Sequence, residues 1–259
     1  MTLKGMTEEQ FMMWNRDGYL VLPDFLSDTE VSEANRRMDE AFRRFKEQGR
    51  DNPETAKLSN VEQLSGIIEH DELFLELMEH PRMMGFIRDV MGDSFVMIDN
   101  DALIKPPKKA AHTNWHRDTD IRYERSEKPS PFMVKIFYFL SDVSYEGGCL
   151  ALLPGSVHMP DAILPKVDVQ EDMPAHVRMN VRAGTAVLFH GYLYHSALNN
   201  HTEHTRRSLI YNYGPSFLRT WPGYEPSEEL RLRSSSASNL RRMLLGMTPW
   251  IEDPKAFQD

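Results

Sequence analysis

The sequence predicts a mostly β domain, a sandwich or barrel of short strands with helices flanking it. Three observations lead there. From residue 95 to about 215, short runs rich in β-branched and aromatic residues alternate with Gly, Pro and Asp breaks. The first 92 residues instead carry capping patterns and helix formers. The chain has 259 residues, 41% hydrophobic and 27% charged, which suffices for one domain with a full core and not for two. The expected organisation is a single domain over 1–259: a mainly helical layer over 1–92, a β core over about 95–215, and a C-terminal helical segment over 216–259.

In chain order, residues 7–16 open with a Thr-x-x-Gln capping pattern at Thr7 and Gln10, and place Phe11, Met12 and Trp14 on an apolar stripe. A short extended run, 18–22, ends at Pro23. Ser27 and Glu30 form a second capping box, which predicts a helix to about residue 46. Residues 47–58 are polar and read as a loop. Two further helices are expected over 72–79 and 81–91, the second opened by Pro81 and stopped by Gly92. Candidate strands are 95–104, 114–119, 132–139, 149–153, 176–181, 186–189 and 208–213. A last helix is expected over 228–245, interrupted around 234–236.

Net charge is -9 at pH 7, and the basic clusters, such as Arg36-Arg37 and Arg43-Arg44, are interleaved with acids. That balance argues against a nucleic-acid partner and suits the wet face of a helix. A single cysteine, Cys149, excludes an intramolecular disulfide and a thiolate metal cluster. No run approaches the ~20 apolar residues that span a bilayer. With no secretory leader pattern, a cytoplasmic location is the expectation.

Of ten histidines, His116 stands apart: in His116-Arg117-Asp118 a histidine and a carboxylate sit two apart in a predicted strand. Period-two geometry sends both side chains to one face and Arg117 to the other, so both can take adjacent corners of one metal. His190 and His195 both follow the apolar run 185–189, and either can complete a set of two histidines and one carboxylate. Such a set leaves positions open for a chelating cosubstrate and dioxygen on iron(II). Arg206, eleven residues beyond His195, can clamp the free carboxylate of 2-oxoglutarate. Ser208 lies on the same strand face, and Arg207 points away. His112, His158, His176, His201 and His204 fall in expected loops or strand ends. Trp115 and Phe137 either wall the site or pack the core.

These residues resemble the phytanoyl-CoA dioxygenase family of iron(II)/2-oxoglutarate oxygenases. The likeness runs through Asp17-Gly18-Tyr19-Leu20, Lys105-Pro106-Pro107, His116-x-Asp118, Gly148-Cys149-Leu150, Leu153-Pro154-Gly155-Ser156, Ala183-Gly184-Thr185, His195, Asn200 and Arg206. It implies a double-stranded β-helix, or jelly-roll, core with helices outside it. It also implies His195 rather than His190 as third ligand, Arg206 as cosubstrate clamp and Lys105 as a second contact. Ala197 stands where members often carry a hydroxyl residue, Arg117 where glutamine is frequent, and Val157 breaks the usual run before His158. The implied reaction is oxidative decarboxylation of 2-oxoglutarate by dioxygen, coupled to hydroxylation of a small-molecule substrate. Asp118 favours that outcome over halogenation. The alternatives are a cupin-type metal enzyme that does not use 2-oxoglutarate, and a non-catalytic binding protein on the same fold.

Overall fold

In the computed structural model, residues 2–48, 61–111, 113–119, 123–125 and 128–248 are described. The elements run α1 (Glu8–Asp17), β1 (Tyr19–Leu22), α2 (Asp28–Glu47), β2 (Glu62–Ser65), α3 (Glu72–Met78), α4 (Pro81–Met91) and β3 (Phe95–Lys105). They continue β4 (Tyr123–Arg125), β5 (Lys128–Ser130), β6 (Val134–Phe139), β7 (Leu150–Leu152), β8 (Val177–Arg178), β9 (Ala186–His190), β10 (His195–Ala197) and β11 (Arg206–Pro215). Two short helices, α5 (Glu228–Arg233) and α6 (Asn239–Leu244), follow. Both predicted capping boxes are present, Thr7 with Gln10 and Ser27 with Glu30, each worth about 1 kcal/mol to its helix. The loop expected over 47–58 lies outside the described residues from 49 onward, as does His112.

The β core is a jelly roll, as expected. A large antiparallel sheet in the order β1-β9-β6-β11-β3-β2 faces a small one in the order β10-β7-β8. Strand alternation divides the large sheet into two faces. Ile136, Tyr138, Leu188, Leu209 and Tyr211 point outward into a core shared with α2, α3 and α4. Phe137, Phe139, Val187, Phe189 and Ile210 point inward, against Leu150 and Leu152 of the small sheet. The hydroxyls of Tyr138, Tyr211 and Tyr213 donate to the carbonyls of Leu77, Phe74 and Met78 on α3. They fix the helical layer to the sheet through side-chain-to-backbone bonds.

Three expectations need correction. Residues 114–119 are not a strand: His116 makes an isolated bridge to His195, and Asp118 donates its N–H to Gly191 at 3.0 Å. The facing strand, β10, is only three residues long and cannot template more. β2, β10 and the β4–β5 hairpin were not expected. The run 176–181 contracts to the two residues of β8. The C-terminal helix is interrupted where expected, dividing into α5 and α6 around Ser234 to Ala237.

Candidate metal centre

His116, Asp118 and His195 converge. One ligand atom from each lies within 4.8 Å of the others. Nε2 of His116 is 3.6 Å from Oδ1 of Asp118, and Nε2 of His195 is 3.6 Å from its Oδ2. Backbone hydrogen bonds between residues 116 and 195, 2.9 Å in both directions, bring the two imidazoles together. Each ring is turned the same way. Nδ1 of His116 bonds the Asn114 carbonyl at 2.7 Å, and Nδ1 of His195 bonds that of Leu193 at 2.9 Å. Nδ1 is thereby the protonated nitrogen and Nε2 faces the centre with its lone pair.

The electrostatics suit a cation. Burial alone would raise the Asp118 carboxyl, but Lys135, His195 and His116 hold it well below the usual carboxylate range. Burial pushes His195 down to about 3, against the pull of Asp118, so its imidazole is neutral. Oδ2 of Asp118 is buried and accepts no hydrogen bond. Two imidazole nitrogens and an orphaned carboxylate oxygen fit a divalent metal of the iron type. The His116 side chain is 37% exposed against 5% for His195, so the centre is approached from the His116 side.

Arg117 points away, as expected. Its guanidinium sits over the Tyr192 ring, pairs with Asp161 at 2.7 Å and donates to the carbonyls of Ser156, Met159 and Tyr192. It ties the segment carrying two ligands to the loop after β7. His190 does not join the triad: its Nδ1 accepts from the Tyr192 N–H at 2.9 Å, and its ring stacks toward Trp14. Trp115 packs in the inner core against Tyr194 and His176.

A second cluster lies at the head of β11. Arg206 is paired in register with Lys105, and both are essentially fully buried. Nη1 of Arg206 donates to the Gly148 carbonyl at 2.5 Å, while its Nε and Nη2 have no partner. The Ser208 hydroxyl, next on the same face, is also buried and unpaired. Burial, then the neighbouring Arg206, pushes Lys105 down to about 7. Gly148 fills the floor with φ +69, and a Cβ there would meet Cδ of Lys105 at 2.8 Å. Asn200 donates to the carbonyls of Pro106 and His204 and so ties together the loops that lead into this cluster. Two buried cations with three orphaned donors could hold a carboxylate.

Pattern reading missed Lys135, Asp99, Asp101 and Asn212. Lys135 donates to Oδ1 of Asp118 at 2.9 Å from the inner face of β6. The available signal was a charged residue in phase with Phe137 and Phe139 inside an apolar strand.

Residues 14–208 match the family model described as phytanoyl-CoA dioxygenase. The chain is 28% identical to L-proline trans-4-hydroxylase of Streptomyces griseoviridis over 229 residues, covering 77% of this chain and 83% of that one. It is 24% identical to the phytanoyl-CoA dioxygenase domain-containing protein 1 of Mus musculus, spanning 60% of that protein and 62% of this one. Among solved structures, HygX from Streptomyces hygroscopicus, with nickel, 2-oxoglutarate and hygromycin B bound, superposes with a TM-score of 0.67. The identity is 20%, covering 87% of this chain and 94% of that one. No described helix is long and apolar enough to cross a membrane.

Proposed function

Because the chain belongs to the phytanoyl-CoA dioxygenase family, we propose that it holds iron(II) through His116, Asp118 and His195 and uses it with 2-oxoglutarate and dioxygen to hydroxylate a small molecule. The observation that carries this reading is the pairing of a metal-ready triad with an orphaned guanidinium in one β core. Nε and Nη2 of Arg206 are buried without acceptors, and each such donor costs about 1–3 kcal/mol. An enzyme with no use for a dicarboxylate would have no reason to keep that cost.

Bound there, iron and 2-oxoglutarate would together activate dioxygen for C–H hydroxylation, with release of succinate and carbon dioxide. The chain's own residues do the rest. Nδ1 bonds of His116 and His195 present both Nε2 atoms. Lys135 keeps Asp118 ionised. Arg206, with Lys105 and Ser208 beside it, would neutralise the distal carboxylate of the cosubstrate and fix its orientation. Lys105 would make a second positive contact, and Ser208 would supply the hydroxyl that Ala197 does not.

The test is an anaerobic visible titration of the iron(II) protein with 2-oxoglutarate. A weak charge-transfer band in the green is expected, absent in Asp118→Ala and Arg206→Ala proteins. Iron that binds without producing a band in the wild-type protein would sink the cosubstrate assignment. His195→Ala is expected to abolish metal binding and His190→Ala to leave it; the reverse would reassign the third ligand.

A further inference from the structure

At the far end of the inner face from Arg206, the large sheet carries a row of polar side chains that the cosubstrate cradle does not use. Asp99 on β3 pairs with Asn212 on β11, and Asn212 pairs with Lys135 on β6. Lys135 in turn bonds Asp118. The row therefore runs across three neighbouring strands, ~4.8 Å apart, straight to a metal ligand. Asp99, Asn212 and Lys135 share the face that also carries Leu103, Ile210 and Phe137.

This row is built to receive a donor. Asp99 is 2% exposed and Asn212 4%, yet Oδ2 of Asp99 and Oδ1 of Asn212 have no partner among the described residues. The Asn212 amide N–H donates to Oδ1 of Asp99, which fixes both side chains and leaves one acceptor oxygen on each unused. Asp101 is satisfied separately, by Gln63 at 2.8 Å and the Tyr224 hydroxyl at 2.9 Å. The backbone is adapted at the same place. Register slips between Asn212 and Tyr213, whose partners are Asp99 and Met97, so Ile98 is an extra residue in β3. The bulge frees the Ile98 carbonyl, which accepts from the Trp221 N–H at 2.9 Å, and aims Asp99 inward.

Charge points the same way. Asp99, Asp101 and Asp118 surround one ammonium, that of Lys135. With a divalent metal on Asp118, two carboxylates remain against one cation. Burial, then the Asp101 charge, pushes Asp99 up to about 7, so the isolated carboxylate is held at a cost that a cation would relieve.

We infer that Asp99 and Asn212 form the substrate-recognition subsite, and that the group they take is a protonated primary or secondary amine. Such a nitrogen carries at least two N–H donors, enough to serve both orphaned oxygens, and a positive charge that matches the carboxylate. A neutral hydroxyl offers one donor, and a carboxylate would meet Asp99 as a like charge. The inference rests on the oxygenase reading and specifies its substrate class.

The experiment uses the full chain loaded with manganese(II) and 2-oxoglutarate, which does not turn over. L-Proline, L-lysine, 1,4-diaminobutane and glucosamine are titrated calorimetrically, each beside its N-acetylated form. At least one amine is expected to bind and to lose at least tenfold in affinity on acetylation. Asp99→Asn, which keeps the shape and removes the charge, is expected to weaken that amine at least tenfold. Asn212→Ala is expected to weaken it about fivefold and stands in should Asp99→Asn not fold. The green band with iron(II) and 2-oxoglutarate is read on every variant. If the wild-type protein gives no band, the oxygenase reading fails. If the band forms but no amine binds, or acetylated forms bind equally well, or both variants bind the amine as the wild type does, this inference alone is overturned.

Discussion

The inner face of β11 has two ends of opposite character. At its head, Arg206 and Lys105 are buried cations bonded to carbonyls, and Nε and Nη2 of Arg206 have no acceptor among the described residues. Six residues along, ~20 Å of strand, Asn212 and Asp99 are buried with orphaned acceptors. On the proposed reading, one sheet face presents an anion cradle and a cation cradle, while the triad comes from elsewhere: a loop and a three-residue strand held by bridges. The difference teaches how a rigid sheet can separate two binding tasks by register alone. Side chains at 206, 208, 210 and 212 all face inward because the strand is regular, and chemistry is assigned by distance along it.

The strongest way to break this comparison is Arg206→Met. It removes the charge that the cradle is organised around, and 2-oxoglutarate affinity is expected to fall by ~100-fold or more, in line with the cost of leaving a buried charge unpaired. Amine affinity at Asp99, measured on the manganese protein, is expected to stay within about twofold. Joint loss at both ends would mean that the face acts as one site.

Legibility in the sequence divides along similar lines. The triad and Arg206 were readable because their spacing is local or follows from one strand: His116 and Asp118 two apart, His195 after an apolar run, Arg206 at the head of the next strand. The reading was right about the faces for a partly wrong reason. Residues 114–119 do not form a strand, yet alternate N–H bonds from 116 and 118 keep the segment extended enough for both side chains to point one way. The helical layer was legible from its capping boxes and from Pro81 and Gly92. The Asp99–Asn212–Lys135 row was not, because it exists only through cross-strand register, and no Gly or Pro marks the bulge at Ile98. The third ligand was open between His190 and His195 until the family resemblance chose. The bridge from 116 to 195 sets the His195 ring beside His116 and Asp118, whereas His190 accepts from the Tyr192 N–H.

A second prediction sharpens the comparison through pH. Lys105 is held near 7 by burial and Arg206, so its charge is present below that pH and lost as pH rises through it. Cosubstrate affinity is therefore expected to fall between pH 6 and 8, by up to about tenfold per unit beyond the free-state value. Asp99, raised to about 7 by burial and Asp101, behaves in the opposite sense. Its charge appears as pH rises, so amine affinity is expected to increase over the same interval, until the amine itself loses its proton. Calorimetric titration of each ligand at pH 6, 7 and 8 measures both slopes. Slopes of the same sign would break the assignment of opposite charges to the two ends.

The smallest effect concerns Gly148, which lies under the anion end. Its φ of +69 is a left-handed conformation, and a Cβ would stand 2.8 Å from Cδ of Lys105 and 3.1 Å from Cβ of Asn200. Gly66 provides a matched control: its φ is +72, and a Cβ there meets nothing within 4 Å. Gly66→Ala and Gly148→Ala carry the same backbone strain, about 1–2 kcal/mol, and both are expected to lower the unfolding midpoint by a few degrees. They differ in what the methyl group touches. Lys105 cannot simply swing aside, because its Nζ is held by the Ala110 carbonyl at 3.0 Å and Arg206 is bonded to the Gly148 carbonyl itself. Gly148→Ala is therefore expected to weaken 2-oxoglutarate about three- to tenfold and Gly66→Ala to leave it unchanged, with the amine end indifferent to both. Equal cosubstrate affinity in the two variants would show that the cradle tolerates a shifted Lys105, and would leave Arg206 as the sole determinant of the anion end.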